Sequence, residues 1–330
     1  MRDELDRMGE RLGAVVHAED HVRVHVDEAA HSGSVAARAG ALYPQAMPAD
    51  LGLTTWNWVS PLTDAALPDV LRRIKEAGYD RAELPFETLD GFDPGFAREA
   101  LAEAGLGATT VGAITADRDL LSDDPAISEQ GRAFLMGAVD AAAELGSPVM
   151  SGPIYSAVGR CWLQTPAERA RDVETLVARL SPIADHAAER GVVLGLEPLN
   201  RFETSFINLI EQANEVVDRV DSPGLGLLID TFHMNIEEKS IGDAIRLAGH
   251  RVVHVHACEN DRGTPGSGHV PWAEVAQALR DIDYTGPIVI ETFNPRIETI
   301  ARAVSAWRDF APSPESLATE GHAFLRDLLG

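Results

Sequence analysis

Four short apolar runs in this 330-residue chain each end on a side chain able to ligate a metal ion. Val192-Val193-Leu194-Gly195-Leu196 ends at Glu197, Leu225-Gly226-Leu227-Leu228-Ile229 at Asp230, Val252-Val253-His254-Val255 at His256, and Ile288-Val289-Ile290 at Glu291. If these runs are neighbouring strands, about 4.8 Å apart, their ends converge on one point. Three carboxylates and one imidazole make a hard, oxygen-rich set that suits Mn²⁺, Mg²⁺ or Co²⁺ better than a thiolate-seeking ion. A single acidic residue at a strand end is commonly a helix cap or an ion-pair partner. Several carboxylates crowded at one mouth repel one another unless a cation lies among them. His254 shares a face with His256 one layer deeper and reads as a core or supporting histidine, and Cys258 continues the alternation as a wall residue.

The loops after these ends carry groups suited to a polyhydroxylated ligand. Glu203 follows Glu197 by six residues, His233 follows Asp230 by three, and Arg262 follows His256 by six. A guanidinium offers a bidentate fork, an imidazole a switchable donor, and a carboxylate accepts from hydroxyls. Trp56, Trp58 and Trp162 stand in loops at strand ends, where an indole supplies either a flat wall for sugar C–H faces or ordinary packing.

Such convergence requires a scaffold that ends several strands on one rim. From Leu51 onward, eight apolar runs begin near Leu51, Ala82, Leu106, Pro148, Val192, Leu225, Val252 and Pro287, alternating with segments of helical period. That repetition predicts an α/β fold, a (β/α)8 TIM barrel, with a doubly wound open sheet as the alternative. The helices are punctuated: Thr165-Pro166-Ala167-Glu168 is a capping box with proline at the first helical position, and Gly191 is the stop. Asp93-Pro94 opens another helix and Gly105 closes it, while Leu67, Val70, Leu71 and Ile74 stripe the first, which Gly78 ends. Ile297 to Phe310 and Glu315 to Leu329 read as two final helices. The barrel is expected to span 51–330. Residues 1–50 read as a flexible N-terminal extension, in which His17, His21 and His25 fall four apart but no complete metal pattern appears.

Composition narrows the chemistry. Acidic residues outnumber basic ones 52 to 28, for a formal charge of −24, which repels nucleic acid and anionic membranes. Lys75 and Lys239, the only lysines, fall in helical or helix-flanking sequence, against Schiff-base chemistry. No nucleotide-binding glycine loop is present. Two cysteines, Cys161 and Cys258, form no pair or metal motif, which fits a reducing cytoplasm, and no apolar run reaches the length of a membrane span.

Taken together, Glu197-Pro198-Leu199-Asn200-Arg201-Phe202-Glu203, Asp230-Thr231-Phe232-His233-Met234-Asn235-Ile236-Glu237-Glu238, His254-Val255-His256 with Glu259 and Arg262, Pro265-Gly266-Ser267-Gly268 before Val270-Pro271-Trp272, and Glu291-Thr292-Phe293 resemble the D-tagatose 3-epimerase / D-allulose (psicose) 3-epimerase family of xylose-isomerase-like barrels. The resemblance covers roughly residues 51–330. It implies that Glu197, Asp230, His256 and Glu291 hold a divalent ion such as Mn²⁺, that Glu197 and Glu291 are the acid/base pair, and that Glu203, His233 and Arg262 hold the O1 and O2 end of a free keto-sugar. It also implies a homo-oligomer. Epimerisation at carbon 3 needs a proton removed beside a carbonyl and one returned to the opposite face, so two flanking acid/base groups and a Lewis acid are required. Two stretches depart from the family pattern: Ser151 to Trp162 after the fourth strand, and His269, where a basic residue is often found. Both are expected at the distal end of the substrate, Trp162 as a contact. The same enolising site also fits the alpha subunit of a C-glycoside deglycosidase, a lyase acting on 3-oxo-glucosides beside a small partner subunit. Other keto-sugar isomerisations and a phosphorylated substrate remain open at this level. An endonuclease IV-like role would need more histidines and a basic face, and a non-catalytic sugar-binding barrel would not need Glu197 and Glu291.

Overall fold

The protein is described by a computed structural model over residues 50–330. The expected N-terminal extension, with its histidines, lies outside the described residues except for Asp50. Eight strands, β1 (Leu51–Thr54), β2 (Arg81–Pro85), β3 (Gly107–Val111), β4 (Val149–Gly152), β5 (Val193–Leu196), β6 (Leu225–Asp230), β7 (Val252–His256) and β8 (Ile288–Ile290), form a closed parallel barrel in which β8 returns to β1. Closure excludes the open doubly wound sheet. Each strand begins within one residue of the expected position, because a strand of a parallel barrel is covered on both faces and reads as an uninterrupted apolar run.

The intervening helices are α1 (Leu67–Glu76), α2 (Pro94–Ala104), α3 (Pro125–Leu145), α4 (Pro166–Arg190), α5 (Ile210–Val220), α6 (Thr231–Glu237), α7 (Ile241–Ala248), α8 (Trp272–Asp281), α9 (Glu298–Ala303) and α10 (Pro314–Leu329). α4 starts on the Thr165/Glu168 capping box and ends at Gly191 in the left-handed conformation. Between those ends its buried face, Val173, Leu176, Leu180 and Ile183, packs on the barrel wall, each such side chain contributing roughly 1.5–3 kcal/mol of burial. Asp93 caps α2 through Phe96 N–H, and Gly105 closes it at φ 65°. None of the described helices is long and apolar enough to cross a membrane.

Two features depart from the sequence expectation. The helix foreseen over Ile297–Phe310 covers only Glu298–Ala303. Ser305 takes a φ of 55°, Ala306 N–H folds back onto the Ala301 carbonyl, and the helix stops as at a left-handed terminus. The pairing of β6 with β7 also shifts between Leu227 and Leu228, so that Leu227 pairs with Val252 but Leu228 with His254. The shift sets Asp230 directly beside His256; in the unshifted register Asp230 would face Val255, and His256 would point to the opposite side.

β4 ends at Gly152, whose φ of +123° is in the left-handed region and whose α-carbon lies against the Gly112 carbonyl, leaving no room for a Cβ. Gly152→Ala is therefore expected to lower the unfolding free energy by about 2–3 kcal/mol in urea melts, through backbone strain and collision together.

Candidate active site

Four side chains meet at the carboxyl end of the barrel. Glu197 directly follows β5, Asp230 and His256 are the last residues of β6 and β7, and Glu291 directly follows β8. All four are buried, and one ligand atom from each lies within 4.8 Å of the others. Asp230 divides its carboxylate between two tasks: Oδ1 accepts from Phe232 N–H at 2.7 Å and caps α6, while Oδ2 faces the cluster. His256 turns Nδ1 to the cluster, 3.8 Å from Asp230 Oδ2 and 3.6 Å from Glu291 Oε2.

Arg262 lies across the carboxylates. Its Nη1 is 2.5 Å from Asp230 Oδ2 and 2.7 Å from Glu291 Oε2, and its guanidinium stacks 4.2 Å above the Phe232 ring. A backbone φ of 65° at Arg262 makes the sharp turn that brings it back over the rim. Burial, reinforced by Glu291 and Asp230, pushes the Glu197 carboxyl well above the usual range. At Asp230 burial acts in the same direction but is outweighed by Arg262 and the nearby imidazoles, which hold that carboxyl well below it. Glu197 Oε1 and His256 Nδ1 are buried without a hydrogen-bond partner among the described residues. One carboxylate oxygen and one imidazole nitrogen left unpaired, beside two further carboxylates, fit a hard divalent cation.

The loop groups converge on the same place. Asn200 N–H donates to His233 Nδ1 at 3.0 Å and Arg262 Nη2, also only a donor, faces Nε2, so each edge of the ring meets a donor and a neutral ring accepts from one of them. Burial lowers the His233 pKa to about 3, keeping the ring neutral. Nε2 lies 3.1 Å from Arg262 Nη2 and 3.6 Å from Glu197 Oε1. Asn200 also donates through Nδ2 to Glu203 Oε1 at 2.7 Å, so one asparagine orients two of the expected contacts. Glu197, Glu203, His233, Arg262 and Glu291 line one cavity of about 330 Å³, the size of a small-molecule site, with Trp56, Phe86, Val158, Phe293 and Ile300 on its apolar walls.

Not every expected residue reaches the cavity. Trp162 is 53% exposed, stacks on Arg160 at 4.2 Å and stands outside the cavity lining, whereas Trp56 is the tryptophan that lines it. Trp58 donates instead to Glu315 Oε1, and His269 is exposed. Cys258 is buried, with Sγ 2.9 Å from Arg262 Nη1. The glycine-rich loop after β7 is organised by buried Glu259, which accepts from Gly266 N–H, Val270 N–H and Trp272 Nε1–H at 2.8–3.0 Å. Those backbone donors are thus turned inward and away from any phosphate. Glu83, Glu87 and Arg118 had no signal in the sequence: Glu87 and Arg118 enter the cavity from the loops after β2 and β3, and Glu83 lies beneath the cluster. Glu83 Oε1 is 2.7 Å from His254 Nε2, and Glu83 Oε2 is 3.0 Å from His256 Nε2.

Residues 71–328 match the family model of the xylose isomerase-like TIM barrel. The chain is 34% identical over 261 residues to the ketose 3-epimerase of Arthrobacter globiformis, covering 78% of this chain and 89% of that protein. The chain belongs to the ketose 3-epimerase family. A D-psicose 3-epimerase of Agrobacterium fabrum is 36% identical over 218 residues, 64% of this chain and 75% of that one. The crystal structure of a D-allulose 3-epimerase from Methylomonas sp. in complex with D-allulose superposes with a TM-score of 0.79 at 31% identity, covering 85% of this chain and 97% of that chain. These family members are epimerases, so the lyase alternative is not favoured.

Mn²⁺ added to chelator-treated protein is expected to raise its thermal midpoint, by an amount equivalent to about 2.7 kcal/mol at a hundredfold excess over Kd. Asp230→Asn, which keeps an α6 cap but removes a charged donor, is expected to abolish most of that shift.

Proposed function

We propose that this protein is a metal-dependent carbohydrate isomerase that interconverts free ketohexoses at carbon 3, with pairs such as D-fructose/D-allulose or D-tagatose/D-sorbose. The observation that carries the reading is the buried set Glu197, Asp230, His256 and Glu291 opening onto a cavity edged by Glu203, His233 and Arg262. On this reading the first four hold Mn²⁺, or Mg²⁺ or Co²⁺, and the ion when bound supplies positive charge beside the developing enediolate. Glu197 and Glu291 exchange the C3 proton. They follow β5 and β8 and are separated along the rim by β6 and β7, so one carboxylate removes the proton from one face while the other returns one to the opposite face. His233 and Arg262 face the O1 and O2 end, to which Arg262 offers its fork, and Glu203 accepts from a hydroxyl.

A free rather than phosphorylated sugar is supported by the inward-turned amides of the Glu259 loop and by the net charge of −24. Unpaired cysteines at 161 and 258 support a reducing, cytoplasmic setting. Assembly of copies of the chain is supported by exposed Trp162, Leu163 and Phe202 on two adjoining loops joined by Trp162 N–H to Ser205 Oγ.

Proton NMR in D₂O tests the reaction. With Mn²⁺-loaded protein and a ketohexose, the C3 proton signal is expected to disappear as the epimer accumulates; no exchange with fructose, tagatose, allulose or sorbose refutes the reading. Glu291→Gln is expected to reduce turnover by about 10³-fold with the fold intact, and near-normal activity would remove Glu291 from the acid/base pair. Arg262→Ala is expected to act mainly on KM.

A further inference from the structure

Beneath the four-residue cluster lies a second, fully buried set of groups to which the proposed chemistry gives no role. Glu83 on β2 reaches across the barrel interior to β7, and its side chain, like those of His254 and His256, is fully buried. Each of its oxygens faces a different ring: Oε1 is 2.7 Å from His254 Nε2 and 3.2 Å from Thr109 Oγ1, which donates to it, and Oε2 is 3.0 Å from His256 Nε2. The approach to His256 is oblique, so that contact is not a well-aligned hydrogen bond. It is nevertheless closer than either carboxylate contact on the other edge of the ring, where Asp230 and Glu291 stand 3.8 and 3.6 Å from Nδ1.

From this arrangement we infer that Glu83 is the positioning residue that keeps the ring proton of His256 on Nε2 and so leaves Nδ1 bare for the metal ion. The inference rests on the metal reading of the site above. An imidazole ligates through a nitrogen that carries no proton, and which nitrogen that is depends on what the other one bonds. A carboxylate only accepts, so Glu83 favours N–H at both rings it faces. The two histidines then differ in fate. Among the described residues His254 Nδ1 is buried without a partner, whereas His256 Nδ1 faces the carboxylates of Asp230 and Glu291. Glu83, His254 and His256 are close enough together to resemble a ligand set themselves. The 2.7 Å between Glu83 and His254 is a hydrogen-bond length, which makes Glu83 a partner of the rings and not a ligand.

Glu83→Gln separates these roles at constant shape. The amide has a single acceptor oxygen. If that oxygen stays with His254, the NH₂ group faces His256 Nε2, which then needs its lone pair there, and the proton moves to Nδ1. Calorimetric titration of the chelator-treated full chain with Mn²⁺ is expected to give one ion per chain in the wild type and a 10–100-fold weaker Kd in Glu83→Gln, with unchanged far-UV circular dichroism. Nitrogen-15 NMR of the histidine rings in Mg²⁺-saturated wild-type protein gives a readout that does not depend on the variant folding: His256 is expected to be protonated at Nε2 and bare at Nδ1. A proton on Nδ1, equal Mn²⁺ affinity in the two proteins, or a second ion lost with Glu83 overturns the inference. If the wild type binds no Mn²⁺, the metal reading itself falls and the inference with it, an outcome distinct from equal binding by both.

Discussion

The mouth of this barrel concentrates like charge where water cannot screen it. Glu197, Asp230 and Glu291 are buried within a few ångströms of one another, with Glu83 below and Glu203 beside them. Charges in such surroundings interact several times more strongly than at a surface, so the site persists only if each carboxylate is neutralised, protonated or hydrogen-bonded. The structure uses all three means. Arg262 bridges Asp230 and Glu291, burial and its acidic neighbours favour a proton on Glu197, and the imidazoles of His254 and His256 flank Glu83. A divalent cation among the first three would relieve the same repulsion, which is why the arrangement reads as a binding site and not as a structural ion-pair network.

That constraint explains how the rim is built. Side chains must arrive already oriented, because reorganising buried charges is costly, and each one is held by a rigid partner. Asp230 is fixed by its bond to the first turn of α6, His233 by the Asn200 amide, and Glu203 by the Asn200 side chain. Arg262 is set by a left-handed backbone turn and by contact with the Phe232 and Phe293 rings. Glu259 performs a comparable task for the loop after β7, where its carboxylate gathers amide and indole donors and excludes them from the cavity. The polar end of the cavity is thus rigid, while the other walls combine apolar groups, including Ile300 from the short α9, with Glu87 and Arg118.

Much of this was legible in the sequence because local rules govern it. Apolar runs closing on Glu197, Asp230, His256 and Glu291 located both the strands and the cluster, and the capping box at Thr165 and the glycines at 105 and 191 marked helix ends through backbone chemistry a few residues long. The placement of His254 one layer below His256 followed from the two-residue period of a strand. Where local rules ended, so did the reading. Trp162 looked like a pocket wall because it lies in a loop above β4, yet its indole turns to Arg160 and solvent. The foreseen helix over Ile297–Phe310 was cut short at Ser305, whose left-handed backbone has no compelling sequence signature.

The sequence by itself determined the eightfold repetition, the types of side chain at four strand ends and the excess of acid that makes a cation the natural companion of the site. Only the tertiary structure decided which groups face one another across the barrel. Glu83 and His254 are 171 residues apart, and nothing local to either predicts their contact. The one-residue shift between β6 and β7 is of the same kind: it turns His256 to the side of Asp230, and it arises from how two strands pack in a closed ring and not from either strand alone. Strand identity is written in nearest-neighbour preferences, but register and closure are settled by the whole barrel at once.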